Sequence, residues 1–132
     1  MTATILLIDD NAVQAATRQA ILKRAGYTAI AVLNPQRALD QLQRGDFPTK
    51  IHLIITDHTM PGMNGAEFVR QLRQTHSKLP VLVISGSEEA EAEYESLRVR
   101  FRMKPFHPDH LLASVNDLIQ PELQSPSQQP VR

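Results

Sequence analysis

The sequence predicts a doubly wound α/β domain, in which a parallel five-stranded sheet carries helices on both faces. Short β-branched runs alternate with stretches of helical period along most of the chain, the pattern of successive β-α units joined by right-handed crossovers. The strand candidates are continuous apolar runs, as strands covered on both faces require. Three of those runs end in charge: Thr4-Ile5-Leu6-Leu7-Ile8 in Asp9-Asp10, Ile51 to Thr56 in Asp57, and Val99 to Met103 in Lys104-Pro105. The carboxyl edge of such a sheet is where ligands bind, so these residues are placed for chemistry.

The elements follow in order. Strand one is Thr4 to Ile8, and Ala12 to Ala25 has Val13, Ala16, Ala20, Ile21 and Leu22 or Ala25 at spacings that suit an inward helix face, with Gly26 as its stop. Tyr27 to Val32 is strand two. Asn34-Pro35 supplies an N-cap with proline at the first helical position, opening a helix to about Gln43 that buries Ala38, Leu39 and Leu42. After the loop Gly45-Asp46-Phe47-Pro48 comes strand three, Ile51 to Thr56, then a helix from Ala66 to Gln74 with Phe68, Val69 and Leu72 on one side. Pro80 precedes strand four, Val81 to Ile84. Glu88 to Leu97 reads as a helix with a thin apolar face, and strand five runs through Met103. A last helix, His110 to Ile119, turns Leu111, Leu112, Val115, Leu118 and Ile119 inward. Residues 1–119 form one domain; residues 120–132, polar and proline-rich, form a tail expected to be disordered.

Composition narrows the function classes. At 132 residues and 42% hydrophobic content, the chain suits one domain with a real core. Fourteen basic against fourteen acidic residues leave no long-range field to gather nucleic acid or an anionic membrane. There is no cysteine, hence no thiolate metal site, and no secretory leader or membrane-length apolar run is visible, so a cytoplasmic protein is expected.

Asp9-Asp10, Asp57, Met60-Pro61-Gly62-Met63-Asn64-Gly65, Ile84-Ser85-Gly86 and Lys104-Pro105-Phe106 together resemble the receiver domain of two-component response regulators, over roughly residues 3–119. Each motif alone has a bland reading as a cap, a turn or a solvated loop; five in the right order do not. The resemblance implies a CheY-like, flavodoxin-like sheet of order 2-1-3-4-5 with five helices. It also implies phosphoryl transfer from a partner's phosphohistidine to an aspartate, by a signalling domain rather than an enzyme.

Under that resemblance Asp57 is the nucleophile and becomes an aspartyl phosphate. A phosphoryl group beside carboxylates needs a hard divalent cation, Mg²⁺ or Mn²⁺, held by Asp9, Asp10, Asp57 and the backbone carbonyl of Thr59. Lys104 and the Ser85 hydroxyl pair with phosphoryl oxygens. Ser85 and Phe101 occupy the switch positions; Phe101 has no phenolic OH, so any inward state rests on packing. Thr59 and Ser87 stand where side chains tune autodephosphorylation. The implied partners are a sensor histidine kinase or histidine phosphotransfer protein and a downstream protein docking on the face of the fourth helix, fifth strand and fifth helix, the receiver itself being a monomer or weak dimer.

One departure stands out. Only nineteen positions separate Ser85 from Lys104, and Ser96-Leu97-Arg98 replaces the small-residue turn usual before strand five, so the fourth helix or its flanking loops must be short or irregular. His58 is expected to face solvent, and the acidic run Glu88 to Glu93 to be a solvated surface. His52, His76, His107 and His110 lack zinc spacing, and the pair His107 and His110 belongs with the start of the last helix. A phosphatase of the haloacid dehalogenase type would want an acid where Thr59 stands, and flavin phosphate would be repelled by Asp9-Asp10. A degenerate receiver that binds partners without phosphorylation is the remaining alternative, although Asp9, Asp10, Asp57, Ser85 and Lys104 are all retained.

Overall fold

The computed structural model describes residues 2–123. Strands β1 (Thr4–Ile8), β2 (Thr28–Val32), β3 (Leu53–Asp57), β4 (Val81–Ser85) and β5 (Arg100–Met103) form one sheet in the order β2-β1-β3-β4-β5. Every neighbouring pair is parallel. Helices α1 (Ala12–Arg24), α2 (Pro35–Arg44), α3 (Gly65–Leu72) and α4 (Pro108–Leu123) connect and follow the strands, and a 3₁₀ segment, Glu88–Tyr94, stands between β4 and β5. This is the predicted flavodoxin-like architecture, with five helical segments in the predicted positions.

Strand alternation divides the core into two layers. Leu6, Ile8, Ile54, Val81 and Val83 point to the side covered by α2 and α3, where Ala38, Leu39, Leu42, Phe68, Val69 and Leu72 are buried as the sequence predicts. Ile5, Leu7, Leu53, Ile55, Leu82 and Ile84 point to the other side, against Leu22 of α1 and Leu111, Val115 and Ile119 of α4. Burial of each large aliphatic side chain contributes about 1.5–3 kcal/mol, so the central strands β1, β3 and β4, buried at every position, anchor the fold. Asparagines set the helix starts: Asn11, Asn34 and Asn64 accept through their side chains from the backbone N–H of Gln14, Arg37 and Glu67. Glu67 returns the bond to the Asn64 N–H, closing a capping box at the loop that follows Asp57.

Three expectations need correction. The inward face of α1 is rotated from the predicted stripe: Val13, Ala16, Ala20 and Ala25 are exposed, while Ala15 and Leu22 are buried and Gln14, Arg18 and Ile21 lie half-buried beside them. Counting alanines as core placed the stripe wrongly, because the acidic strand end draws polar side chains inward. The region from Glu88 to Leu97 is not an α-helix; the shortened β4–β5 connection leaves room for a 3₁₀ turn of seven residues, with only Ala90 and Tyr94 buried. The other glutamates of the run are exposed, as expected. Finally, α4 continues through Leu123, so residues 120–123, assigned to the tail, are helical, and the rest of the tail, 124–132, lies outside the described residues.

Candidate functional site

Pairing β1 with β3 so that Ile8 lies beside Thr56 brings Asp9 and Asp57 together at the carboxyl edge. Both carboxylates are buried, at 1% and 3% exposure. Two donors from α1 stand between them. The Gln14 side-chain amide donates from Nε2 to Asp9 Oδ2 at 2.6 Å and to Asp57 Oδ2 at 2.7 Å. Arg18 Nη1 lies 3.4 Å from Asp9 Oδ2 and 3.1 Å from Asp57 Oδ1. Residues 14 and 18 are one helical turn apart and so share a face of α1. The second Asp9 oxygen accepts from the Asn11 N–H.

Lys104 approaches from β5, its Nζ 3.5 Å from Asp57 Oδ1, with the side chain about a third exposed at the mouth of the pocket. The Lys104–Pro105 peptide is cis, and the Lys104 N–H is held by the Ser85 carbonyl at 2.8 Å. Ser85 itself is buried; its hydroxyl exchanges hydrogen bonds with the Ser87 backbone. Thr59 and Asp10 are exposed, and Asp10 lies outside the Asp9–Asp57 network. Of the predicted site residues, then, the structure joins Asp9, Asp57 and Lys104 directly, and sets Ser85 at the next strand end.

The electrostatics of Asp57 are a contest. Burial pushes its carboxyl above the usual range; the Arg18 charge opposes that, the neighbouring Asp9 reinforces it, and Lys104 opposes it more weakly. Cations and dipoles therefore hold two like charges side by side in a poorly solvated corner.

The flank of the site contradicts one expectation. His58 does not face solvent: it is buried, its Nδ1 lies 2.7 Å from the Tyr94 hydroxyl, and its Nε2 lies 3.4 Å from Glu93. The 3₁₀ turn swings Tyr94 inward over β3, where it also packs against Phe101 at 5.8 Å between ring centroids. Burial and the Glu93 charge raise the Tyr94 pKa, keeping its phenol protonated. Phe101 is half-buried in the same cluster.

Sequence reasoning missed Gln14, Arg18 and Tyr94. The first two carried a readable signal, since polar side chains four apart on a helix beginning three residues after Asp9 face the strand end. Tyr94 carried none, because its position depends on the 3₁₀ turn.

A divalent metal needs hard oxygen ligands, and the Asp9 and Asp57 carboxylates supply that chemistry. As arranged, both oxygens of each are already engaged by Asn11, Gln14, Arg18 or Lys104, and no three acidic or histidine side chains among the described residues converge closely enough to hold a metal.

Comparison with known proteins agrees with the geometry. The family model for the response regulator receiver domain matches residues 5–116. The C4-dicarboxylate transport transcriptional regulatory protein of Pseudomonas aeruginosa is 36% identical over 117 residues, covering 86% of this chain and 24% of that protein. Among solved structures, the chemotaxis protein CheY4 of Vibrio cholerae superposes with a TM-score of 0.79 at 27% identity, over 89% of this chain and 99% of that one. A receiver from Methanospirillum hungatei reaches 0.84 at 19% identity, over 94% of this chain and 98% of that one, a likeness of fold. The chain spans 17% to 56% of the length of the curated relatives it matches.

Proposed function

Because this chain belongs to the response regulator receiver domain family, a family of signalling domains rather than enzymes, we propose that Asp57 accepts a phosphoryl group from the phosphohistidine of a histidine kinase or phosphotransfer protein. The observation that carries this is a buried carboxylate at the end of β3 with a lysine ammonium 3.5 Å away at the pocket mouth. The Asp57 oxygen forms a bond to phosphorus as the phosphorus–nitrogen bond of the donor breaks, and the imidazole leaves with the electron pair and takes up a proton. Lys104 offers a compact ammonium to the phosphoryl oxygens. Ser85, at the end of the neighbouring strand, offers a hydroxyl once it leaves the Ser87 backbone.

Asp9, Asp57, Asp10 and the Thr59 carbonyl would hold Mg²⁺ or Mn²⁺, which when bound supplies the positive charge that a phosphoryl group among carboxylates requires. Thr59 and Ser87 flank the path of an attacking water and tune the lifetime of the acyl phosphate. Output runs to a downstream protein through the face made by the 3₁₀ segment, β5 and α4, with Ser85, Phe101 and the Tyr94 contact as the moving parts.

The test is intact-protein mass after incubation with acetyl phosphate, with and without Mg²⁺, for the wild type and Asp57→Ala. The reading expects a metal-dependent gain of one phosphoryl group that the substitution abolishes. No gain in the wild type would leave the second reading, a partner-binding receiver without phosphorylation, which the full engagement of the Asp9 and Asp57 oxygens favours.

A further inference from the structure

The donors between Asp9 and Asp57 come from α1, not from the acidic or lysine motifs. Arg18 is 12% exposed and shared between the two carboxylates, and the Gln14 amide bonds both at 2.6 and 2.7 Å. These side chains occupy the space between the two buried acids of the site. A guanidinium is weakly hydrated and suits a buried pair of carboxylates, whereas Mg²⁺ gives up its waters reluctantly and demands near-octahedral oxygens.

On the reading that Asp57 and Asp9 form the phosphoacceptor and metal pocket, we propose that Arg18 and Gln14 are a resident clamp that competes with a divalent cation for these two carboxylates. The clamp neutralises the acid pair when metal is scarce, and the ion enters only as Gln14 and Arg18 withdraw. Competition is reciprocal: the factor by which the clamp weakens metal binding is the factor by which bound metal loosens the clamp. Receiver activation here therefore needs a higher divalent-ion concentration than an unclamped acid pocket would, and Arg18 and Gln14 are the positioning residues that set that threshold.

The test is isothermal calorimetry with MgCl₂ on the wild type, Arg18→Met, Gln14→Ala and Asp9→Asn. Arg18→Met keeps the length of the side chain and removes its charge, and should bind Mg²⁺ on the order of tenfold more tightly than the wild type. Gln14→Ala should tighten binding by a smaller factor, and Asp9→Asn should weaken it. Thermal melts establish that each variant is folded, and if Arg18→Met is not, Gln14→Ala decides. Binding unchanged or weaker in folded Arg18→Met and Gln14→Ala overturns the clamp, as does wild-type affinity in Asp9→Asn. Absence of Mg²⁺ binding in every variant, with phosphoryl gain on Asp57 intact by mass, overturns the clamp alone; the same absence without phosphoryl gain overturns the proposed function with it.

Discussion

The corner where α1 meets β1 and β3 and the edge where β4 meets β5 are built on opposite plans. At the corner the backbone is regular, the strands are buried throughout, and polar side chains are left over to surround Asp57. At the edge β5 has four residues and partial exposure, the helix before it is a 3₁₀ turn, and Ser96 and Arg98 adopt positive φ of 71° and 58°. There a side chain supplies the hydrogen bonds that regular backbone would otherwise make, since the Arg73 guanidinium donates to the carbonyls of Leu97, His76, Leu79 and Arg98 at 2.7–3.1 Å. The difference teaches that a regular backbone can present the site's side chains while the neighbouring edge, irregular in backbone, is held by a side chain.

Gly65 is the joint between the two plans, and its substitution should have the largest effect. A Cβ there would lie 2.8 Å from the Asp57 carbonyl oxygen and closer still to the Tyr94 hydroxyl. The Gly65 N–H meanwhile holds the His58 carbonyl at 2.8 Å, so the backbone has no room to retreat. Gly65→Ala should cost about 3 kcal/mol, the upper range for overpacking a close-packed site. Urea denaturation measures this, and Gly65→Ala combined with Tyr94→Phe should recover part of the loss, because the hydroxyl is one of the two obstacles. Equal losses in the single and double variants would show that the edge does not press on the site.

Arg73→Met separates the two regions. Burial lowers the pKa of the Arg73 guanidinium, with the charge of Arg98 adding to the shift. Removing it strands several partly buried carbonyls, so a loss of about 2 kcal/mol is expected, in line with the loss of hydrogen bonds from a charged donor. The stronger prediction is spatial: hydrogen exchange should quicken in β5 and the 3₁₀ segment while β1 and β3 keep their protection. Uniform loss across the sheet would mean that the edge and corner open as one unit.

What could be read in advance follows the same division. Asp9 and Asp57 were readable because each ends an apolar run, and Lys104 because it follows the alternating run Val99 to Met103, so that the sheet sets all three at one edge. The buried faces of α2 and α3 followed from leucine, valine and phenylalanine at helical spacing. The face of α1 was misjudged because alanine fits either side of a helix, whereas Gln14 and Arg18, four apart and both bonded to the buried carboxylates, marked the inward side. The short connection after Ser85 announced an irregular fourth helix, but its 3₁₀ form, and with it the burial of Tyr94 and His58, depended on packing across the sheet.

The smallest expected effect concerns the acid pair itself and runs against intuition. Because burial and Asp9 hold the Asp57 pKa above its unfolded value despite Arg18 and Lys104, ionising Asp57 costs the folded state stability. The contribution of the neutral form is fully present below the unfolded carboxyl pKa and is lost as pH rises through the folded one. Asp57→Asn fixes a neutral side chain whose oxygen still accepts from Arg18 and Lys104, while Gln14, whose Nε2 stays on Asp9, gives up its bond to position 57. The variant should therefore be more stable than the wild type at pH 7, by on the order of 1 kcal/mol, a usual size for a single substitution. The difference should shrink as pH falls toward 4, near the ordinary aspartate range. Thermal melts of both proteins across that window check the sign. A variant less stable than the wild type at pH 7 would mean that the Arg18 and Lys104 charges outweigh burial, and that the clamp does more than offset the cost of placing two acids side by side.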